Sequence, residues 1–456
     1  MEQDIISNHA GISATAVNFL DYAIKEGKCL NRLDLLDEDV PPLLRDYKYP
    51  LQSWPWFISP ATKRVLEECV QLIPSLIVRS VMLEFGEDTA RFADYYGTPD
   101  VVGQLVLSGT LKTRFVSQRT DAILTEKGFK ILELNLGFRI GGWQIQWIDP
   151  QYRKQAELKP FLDRLDCHSR DIPYGYMCYL IRSIQEKQLL SDGRANTIFV
   201  IEDDEFFALN GPVTIGEIYD RALRDHGLGG WLKFKRDLSD LTYAENGVYL
   251  GGERVGAVVS AEDNPPLELF RACAAGRVVW TDNPVEVVLS DKRSLALLYK
   301  HRDHPAFSES ERRVIHAFLP WGASLRAGPV EFEGQTIDLQ SLLSSQKDRF
   351  VIKIALGGQG NDVFVGKYQT PQDWARLIER GLSEDGWLVQ EFCRSLPFYG
   401  QQGDNGYGLY DVVWGVYGFG EVYSGCWLRL MARDTGSGVI NSDKGAEEAI
   451  VYEVAC

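Results

Sequence analysis

Val116 to Gly137 reads VSQRTDAILTEKGFKILELNLG, two strands of about 116–125 and 129–135 joined by Glu126-Lys127-Gly128. A three-residue hairpin loop holds its third residue in the left-handed region, where glycine carries no steric cost, and Gly128 falls there. That loop length sets a register. Thr125 then opposes Phe129, Ile123 opposes Ile131, Asp121 opposes Glu133 and Arg119 opposes Asn135. Side chains alternate along a strand, so Arg119, Asp121, Glu133 and Asn135 share one face. Ala122, Leu124, Leu132 and Leu134 take the other, which is expected to be buried.

Two carboxylates directly opposed across a sheet repel unless something positive lies between them. Two readings fit. A hard cation such as Mg²⁺ takes one or two carboxylates and an amide oxygen and completes its octahedron with phosphate and water, which suits Asp121, Glu133 and Asn135. Arg119, one pair along, would then meet phosphate oxygens or a developing oxyanion through its fork of donors. The plainer reading is an arginine-centred salt bridge on a solvated hairpin face.

Further along, FVIKIALGGQGNDVFVGK (350–367) sets Lys353 in an apolar strand, followed by Gly357, Gly358 and Gly360 and a second strand from Val363 to Lys367. A buried ammonium is costly without a partner, and glycines let backbone N–H groups close over a phosphate. The segment is not a Walker A loop, since Gly366-Lys367 is followed by Tyr368. GWLVQEF (386–392) reads as a strand ending in Gln390-Glu391. Its backbone could meet an adenine edge while Glu391 takes ribose hydroxyls, or it is an edge strand with a solvated glutamate. Ser290-Asp291-Lys292 opens a capped helix, RSLALLYKH, from which Lys292 could reach a phosphate. Near the C-terminus Arg429 lies in an apolar strand and Asn441 in a loop.

Composition sets the frame. The chain has 456 residues, 45% of them hydrophobic and 25% charged, enough for a substantial core in two to four units. A net charge of −16 argues against nucleic acid or an anionic membrane as partner. The opening MEQDIISNHAGIS lacks the pattern of a secretory signal and no apolar run has membrane-spanning length, so a cytoplasmic, soluble protein is expected. Eight cysteines occur with no C-x-x-C pair, which points to reduced structural thiols. His301-x-x-His304 reads as a solvated loop pair, and no Ser-His-Asp or Cys-His set is evident.

Four segments follow from the hydrophobic pattern. Residues 1–100 are mainly helical, with Ser59-Pro60 opening a helix. Residues 101–194 carry the hairpin and then helices. Residues 195–290 are α/β, with TIFVIE (197–202) as a strand and RVVWTDNPVEVVLSDK (277–292) as further strands. Residues 291–456 hold the lysine strand, glycine loop and Gln-Glu strand.

As an ordered set, R-x-D, E-x-N, (S/N)-x-K, strand lysine with glycine loop, Gln-Glu hinge and late arginine resemble the circularly permuted ATP-grasp ligases, in particular the synthetase part of glutathionylspermidine synthase. The resemblance covers roughly residues 100–455, and Lys353-Ile354 stands where that family has Lys-Pro. It implies an α/β (α+β) ATP-grasp fold in permuted order, with residues 195–290 as a substrate-side domain. It also implies Mg²⁺, in two ions with Mn²⁺ able to substitute, on Asp121, Glu133 and Asn135. Arg119 would stabilise the transition state, and Lys292, Lys353, Gly357, Gly358, Gly360, Gln390, Glu391 and Arg429 would bind ATP. The implied reaction joins a small-molecule acid to an amine, drawn from amino acids, peptides or polyamines, through an acyl phosphate. A small-molecule kinase on the same fold, or a nucleotide-binding scaffold without activity, would use the same residues.

Overall fold

A computed structural model describes residues 2–28, 30–109, 112–260, 265–358, 360–403, 406–433 and 438–455. Gln359 of the glycine loop, Cys29 and Cys456 lie outside the described residues. The other six cysteines are free thiols, all buried except the half-buried Cys393.

The hairpin forms with strands Ser117–Thr125 and Gly128–Leu136, and Gly128 has φ +88°. Its register departs from the expected one near the turn. Thr125 pairs with Gly128, Leu124 with Phe129 and Ala122 with Ile131, one step out from the expected Thr125–Phe129 and Ile123–Ile131 pairs. An irregularity after Ala122 then inserts Leu132 as an extra residue, and Asp121–Glu133 and Arg119–Asn135 pair as expected. Such a bulge sets two residues against one and re-aims the side chains around it. Leu132, expected on the buried face, therefore lines the same cleft as Asp121 and Glu133.

The hairpin is the edge of an eight-stranded sheet in which Trp56–Ile58, Glu447–Val454, Val422–Ala432, Gly406–Phe419 and the two hairpin strands follow in that spatial order. Only the Trp56–Ile58 pairing along that path is parallel. The first hundred residues thus contribute a strand as well as helices. Helix Pro60–Phe85 begins as read from the sequence: Ser59 Oγ accepts from Thr62 N at 3.1 Å and proline occupies the first turn. Its apolar stripe, including Val70, Ile73, Ile77 and Val81, is buried against Gly406–Phe419 and Val422–Ala432. No single helix among the described residues is long and apolar enough to cross a membrane.

Residues 194–280 form a second, wholly parallel sheet in the order Val279–Trp280, Ala257–Val259, Arg194–Val200, Gly229–Lys235. Helices Ile172–Glu186 and Gly211–Asp225 pack around it. One expectation fails here. Val285–Ser290, read as strand because of its valines, is a helix. Pro284 sits in the right-handed helical region and Asn283 Oδ1 accepts from Val285 N at 3.0 Å, so a local start signal outweighs β propensity.

A third sheet is antiparallel throughout, in the order Gly322–Ser324, Trp387–Glu391, Phe350–Ile354, Val363–Val365. Trp387–Glu391 is therefore an internal strand and not an edge, while Lys367, expected in a strand, lies in the short turn Gly366–Tyr368. The architecture is mixed α/β: two largely antiparallel sheets face one cleft, and a parallel sheet continues from the hairpin's far end.

Candidate active site

Strand pairing places Asp121 at the centre of a charged cluster. Asp121 is 1% exposed and receives Arg119 Nε on Oδ1 at 2.8 Å, while Oδ2 takes Arg119 Nη2 at 3.0 Å, Asn135 Nδ2 at 3.0 Å and Arg429 Nη2 at 2.5 Å. Arg429 reaches it because Arg429 pairs with Val413 and Val413 with Ile123 across the sheet. Burial opposes ionisation of Asp121, but the two guanidinium groups override it and hold the carboxyl well below the ordinary range. Both arginines stack on the ring of Trp427, at 5.5 and 5.4 Å. Arg119 also donates to Ile140 O and, at 3.3 Å, to Gly141 O. The arginine-centred reading of the hairpin face thus describes the geometry of Asp121, with the difference that this face is buried and not solvated.

Glu133 faces the opposite wall. Lys292 Nζ lies 3.2 Å from its Oε2 and donates to Gly357 O at 2.7 Å, tying the hairpin to the glycine loop. Lys292 is held in turn by the helix start, where Asp291 Oδ1 accepts from Arg293 N at 2.8 Å and the Asp291 carboxylate grips the Arg293 guanidinium. Lys353 is 5% exposed, and among the described residues its ammonium finds only amide oxygens: Gln390 Oε1 at 2.7 Å and Leu132 O at 3.4 Å. Burial lowers its pKa to about 8, with the Glu133 charge pulling the other way.

One cleft of about 840 Å³, its open mouth included, is lined by Asp121, Glu133, Lys353, Gly357, Gly358, Gly360, Gln390, Glu391 and Arg429. Arg119, Lys292 and Asn135 stand directly behind the lining through the bonds just given. Apolar side chains complete the slot, among them Ile123, Leu132, Val351, Val363, Val413 and Val439. Gly360 has φ +67° and a Cβ there would lie 2.7 Å from Val439 Cγ1, so the loop closes onto residues 438–441 only as glycine.

Two site expectations are altered. The hinge backbone is largely committed, because Glu391 N donates to Trp321 O at 2.8 Å and Phe392 N to Arg349 O at 2.7 Å. Glu391 is half-buried with Arg349 Nη2 at 3.5 Å from its carboxylate, and is neither an edge residue nor free. His301 does pair edge-on with the exposed His304, but it is itself half-buried and bonds Glu84 at 2.9 Å. The sequence reading overlooked Trp427, although its place two residues before Arg429 puts both side chains on one face of the strand. It also overlooked the apolar slot, whose residues come from five separate strands and a loop and carry no local motif.

Among the described residues no three His, Cys, Asp or Glu side chains converge in a metal-binding group. Asn135 meets Asp121 directly, Glu133 lies across from Asp121 in the strand register, and Asp121 already shares its charge with two arginines. Hard oxygen donors in that number suit a cation whose remaining ligands come with a phosphate-bearing substrate.

No family model and no curated protein sequence matches the chain. Among solved structures it is similar to a glutathione synthetase-like effector from Globodera pallida, with a TM-score of 0.52, 14% identity, and coverage of 99% of this chain and 98% of that one. A protein provisionally assigned as a gamma-glutamylcysteine synthetase from Methylobacillus flagellatus aligns with a TM-score of 0.39, 11% identity, and coverage of 83% and 87%. At this identity the effector's likeness shows a shared synthetase-like fold.

Proposed function

We propose that the chain is an ATP-dependent carboxylate–amine ligase of the permuted ATP-grasp type. The observation that carries the reading is Lys353: a lysine buried in a strand, with amide oxygens as its only partners among the described residues, opening on a cleft that also holds Arg429, Asp121 and Glu133. Four cationic side chains, Arg119, Lys292, Lys353 and Arg429, gather around Asp121 and Glu133 at one end of the cleft and would meet the phosphates of a nucleotide.

ATP would lie with its base in the apolar slot beside Gln390 and Phe392 and its phosphates toward Lys353, Lys292 and Arg429. The glycine loop would close over them. Glu133, Asn135 and Asp121 would hold Mg²⁺, which when bound neutralises phosphate charge. An oxygen of the acid substrate attacks the γ-phosphorus, the bond to the β-phosphate oxygen breaks, and ADP leaves. Arg119, behind Asp121, would add its positive charge to the place where charge develops. The acyl phosphate then yields its carbonyl carbon to an amine and phosphate departs. Positioning and charge neutralisation are the main requirements of such a transfer, and no covalent nucleophile is needed.

Hydroxylamine tests this directly. With ATP, Mg²⁺ and a panel of amino acids and short peptides as acids, at least one acid should give both ADP and its hydroxamate, without any amine. Arg119→Ala should abolish both products. ADP with a stable phosphorylated product and no hydroxamate would make the chain a kinase. Absence of ADP with every acid would leave a scaffold and overturn the ligase.

A further inference from the structure

The parallel sheet reverses its winding at one place. From Arg194–Val200 the chain goes to Gly229–Lys235 on one side, then to Ala257–Val259 on the other side and on to Val279–Trp280. Helices that follow the two central strands cover opposite faces. Gly211–Asp225 lies on one face, where Tyr219 Oη is 2.9 Å from Thr197 Oγ1. Leu267–Ala274 lies on the other: Phe270 meets the ring of Trp280 at 4.9 Å, and in the register Trp280 stands beside Val258 and Val258 beside Ile198. The chain thus leaves Arg194–Val200 and Ala257–Val259 in opposite directions, and a crevice opens at their carboxyl ends. Open α/β sheets bind their ligands at such a reversal.

A cavity of about 610 Å³ lies at that crevice, within the roughly 300–1,000 Å³ of small-molecule sites. Phe199 and Val200 at the end of one strand and Val259 at the end of the other line it. The segment after the hairpin adds a run of touching rings. Phe138 lies 5.2 Å from Phe199 and 5.8 Å from Trp143, and Trp143 lies 6.1 Å from Trp147, between ring centroids. Phe138, Trp143, Trp147 and Phe206 all line the cavity and are only half-buried, so aromatic surface stays uncovered at one concave place. A further ring stacks or meets edges well in such a lining. Arg139, Glu202 and Asp203 line the same cavity, are exposed, and form no ion pair among the described residues. Its mouth therefore carries both signs of charge. Residues 138–143 also join this cavity to the first cleft. They present Phe138 and Trp143 to the cavity and Ile140 O and Gly141 O to Arg119, whose other donors hold Asp121.

We propose that this cavity selects an aromatic amino acid as one substrate of the ligase, with the side chain among its rings and the ammonium and carboxylate at its mouth. The inference rests on the ligase reading and names a substrate class for it. Burial of an aromatic side chain supplies the affinity, and a mouth of both signs matches a zwitterion better than a polyamine, which is cationic throughout.

Calorimetry on the full chain, without nucleotide, tests the site with L-phenylalanine, L-tryptophan, L-alanine, L-glutamate and spermidine as probes. The wild type should bind L-phenylalanine or L-tryptophan at least tenfold more tightly than the other three. The N-acetyl amide of the better aromatic probe keeps the ring, lacks both charges and should bind more weakly. Phe206→Ala opens the cavity and Leu43→Trp fills it, and both positions lie outside the segment that holds Arg119. Each variant should weaken the aromatic probe at least fivefold while ATP·Mg²⁺ affinity stays within twofold of wild type. Leu43→Trp leaves no void, so its thermal midpoint should stay within a few degrees of wild type. No aromatic binding by the wild type, alanine, glutamate or spermidine bound as tightly, an amide bound as well as the amino acid, or unchanged binding by Leu43→Trp would each overturn the assignment. ATP·Mg²⁺ binding is read separately: its absence from the wild type would refute the ligase, whereas the aromatic result stands or falls alone.

Discussion

Lys353 and Asp121 illustrate two ways of keeping a charge inside a protein. Asp121 is ionised because two guanidinium groups and an amide surround it, so its removal would leave buried cations uncompensated. Lys353 has no such partner, and its folded-state pKa of about 8 lies below the ordinary 10.5. Below pH 8 both folded and unfolded chains carry the proton, and the fold bears the full cost of burying the charge. Between pH 8 and about 10.5 the unfolded chain binds more protons than the folded one, so on this group's account stability rises with pH. Lys353→Met should therefore be as stable as wild type or more stable at pH 7 and should lack the wild-type rise above pH 8, while binding ATP at least tenfold more weakly. Chemical denaturation at pH 7 and at pH 9.5, with a nucleotide titration at pH 7, checks all three. Parallel pH profiles for the two chains would mean that Lys353 is not the buried, unpaired group described.

Elements decide which of these residues meet. The pairs Asp121–Glu133 and Arg119–Asn135 match the register read from the sequence because the bulge at Leu132 offsets the one-residue shift at the turn. The bulge at Leu132 was not legible, since a single extra residue in a run of leucine and isoleucine leaves no compositional mark. Val285–Ser290 misled because a short valine-rich run suits strand and helix alike, and the Asn283-Pro284 start decided it. Arg429 was placed in a strand but not beside Asp121, for that contact needs Gly406–Phe419 to lie between them. The loop after the hairpin was passed over entirely, although it supplies Ile140 O and Gly141 O to Arg119. Its glycines differ in what they do. Gly142 has φ +73° and a Cβ there would stand 1.6 Å from Trp427 Nε1, whereas at Gly141 the nearest atom is Arg119 Nη1 at 3.7 Å. Gly142→Ala should cost about 2–4 kcal/mol, overpacking plus left-handed strain, and Gly141→Ala only about 1–2 kcal/mol. Urea unfolding of the two variants measures the difference, and equal losses would contradict the close approach to Trp427.

Across the whole molecule, the antiparallel sheet of Lys353 and Gln390 forms one wall of the cleft and the sheet of Asp121 and Arg429 the other. Likeness to the effector holds at the level of the fold, while activity depends on the side chains that the two walls bring together. A nucleotide held between sheets must touch both at once. Hydrogen exchange on the full chain, with and without ATP and Mg²⁺, is the most direct measure of this. The account predicts that ATP·Mg²⁺ slows exchange in residues 351–365 and 388–393 on one wall and in 129–135 and 438–441 on the other, together and at the same nucleotide concentration. No protection anywhere, or protection confined to the parallel sheet of residues 194–280, would contradict it.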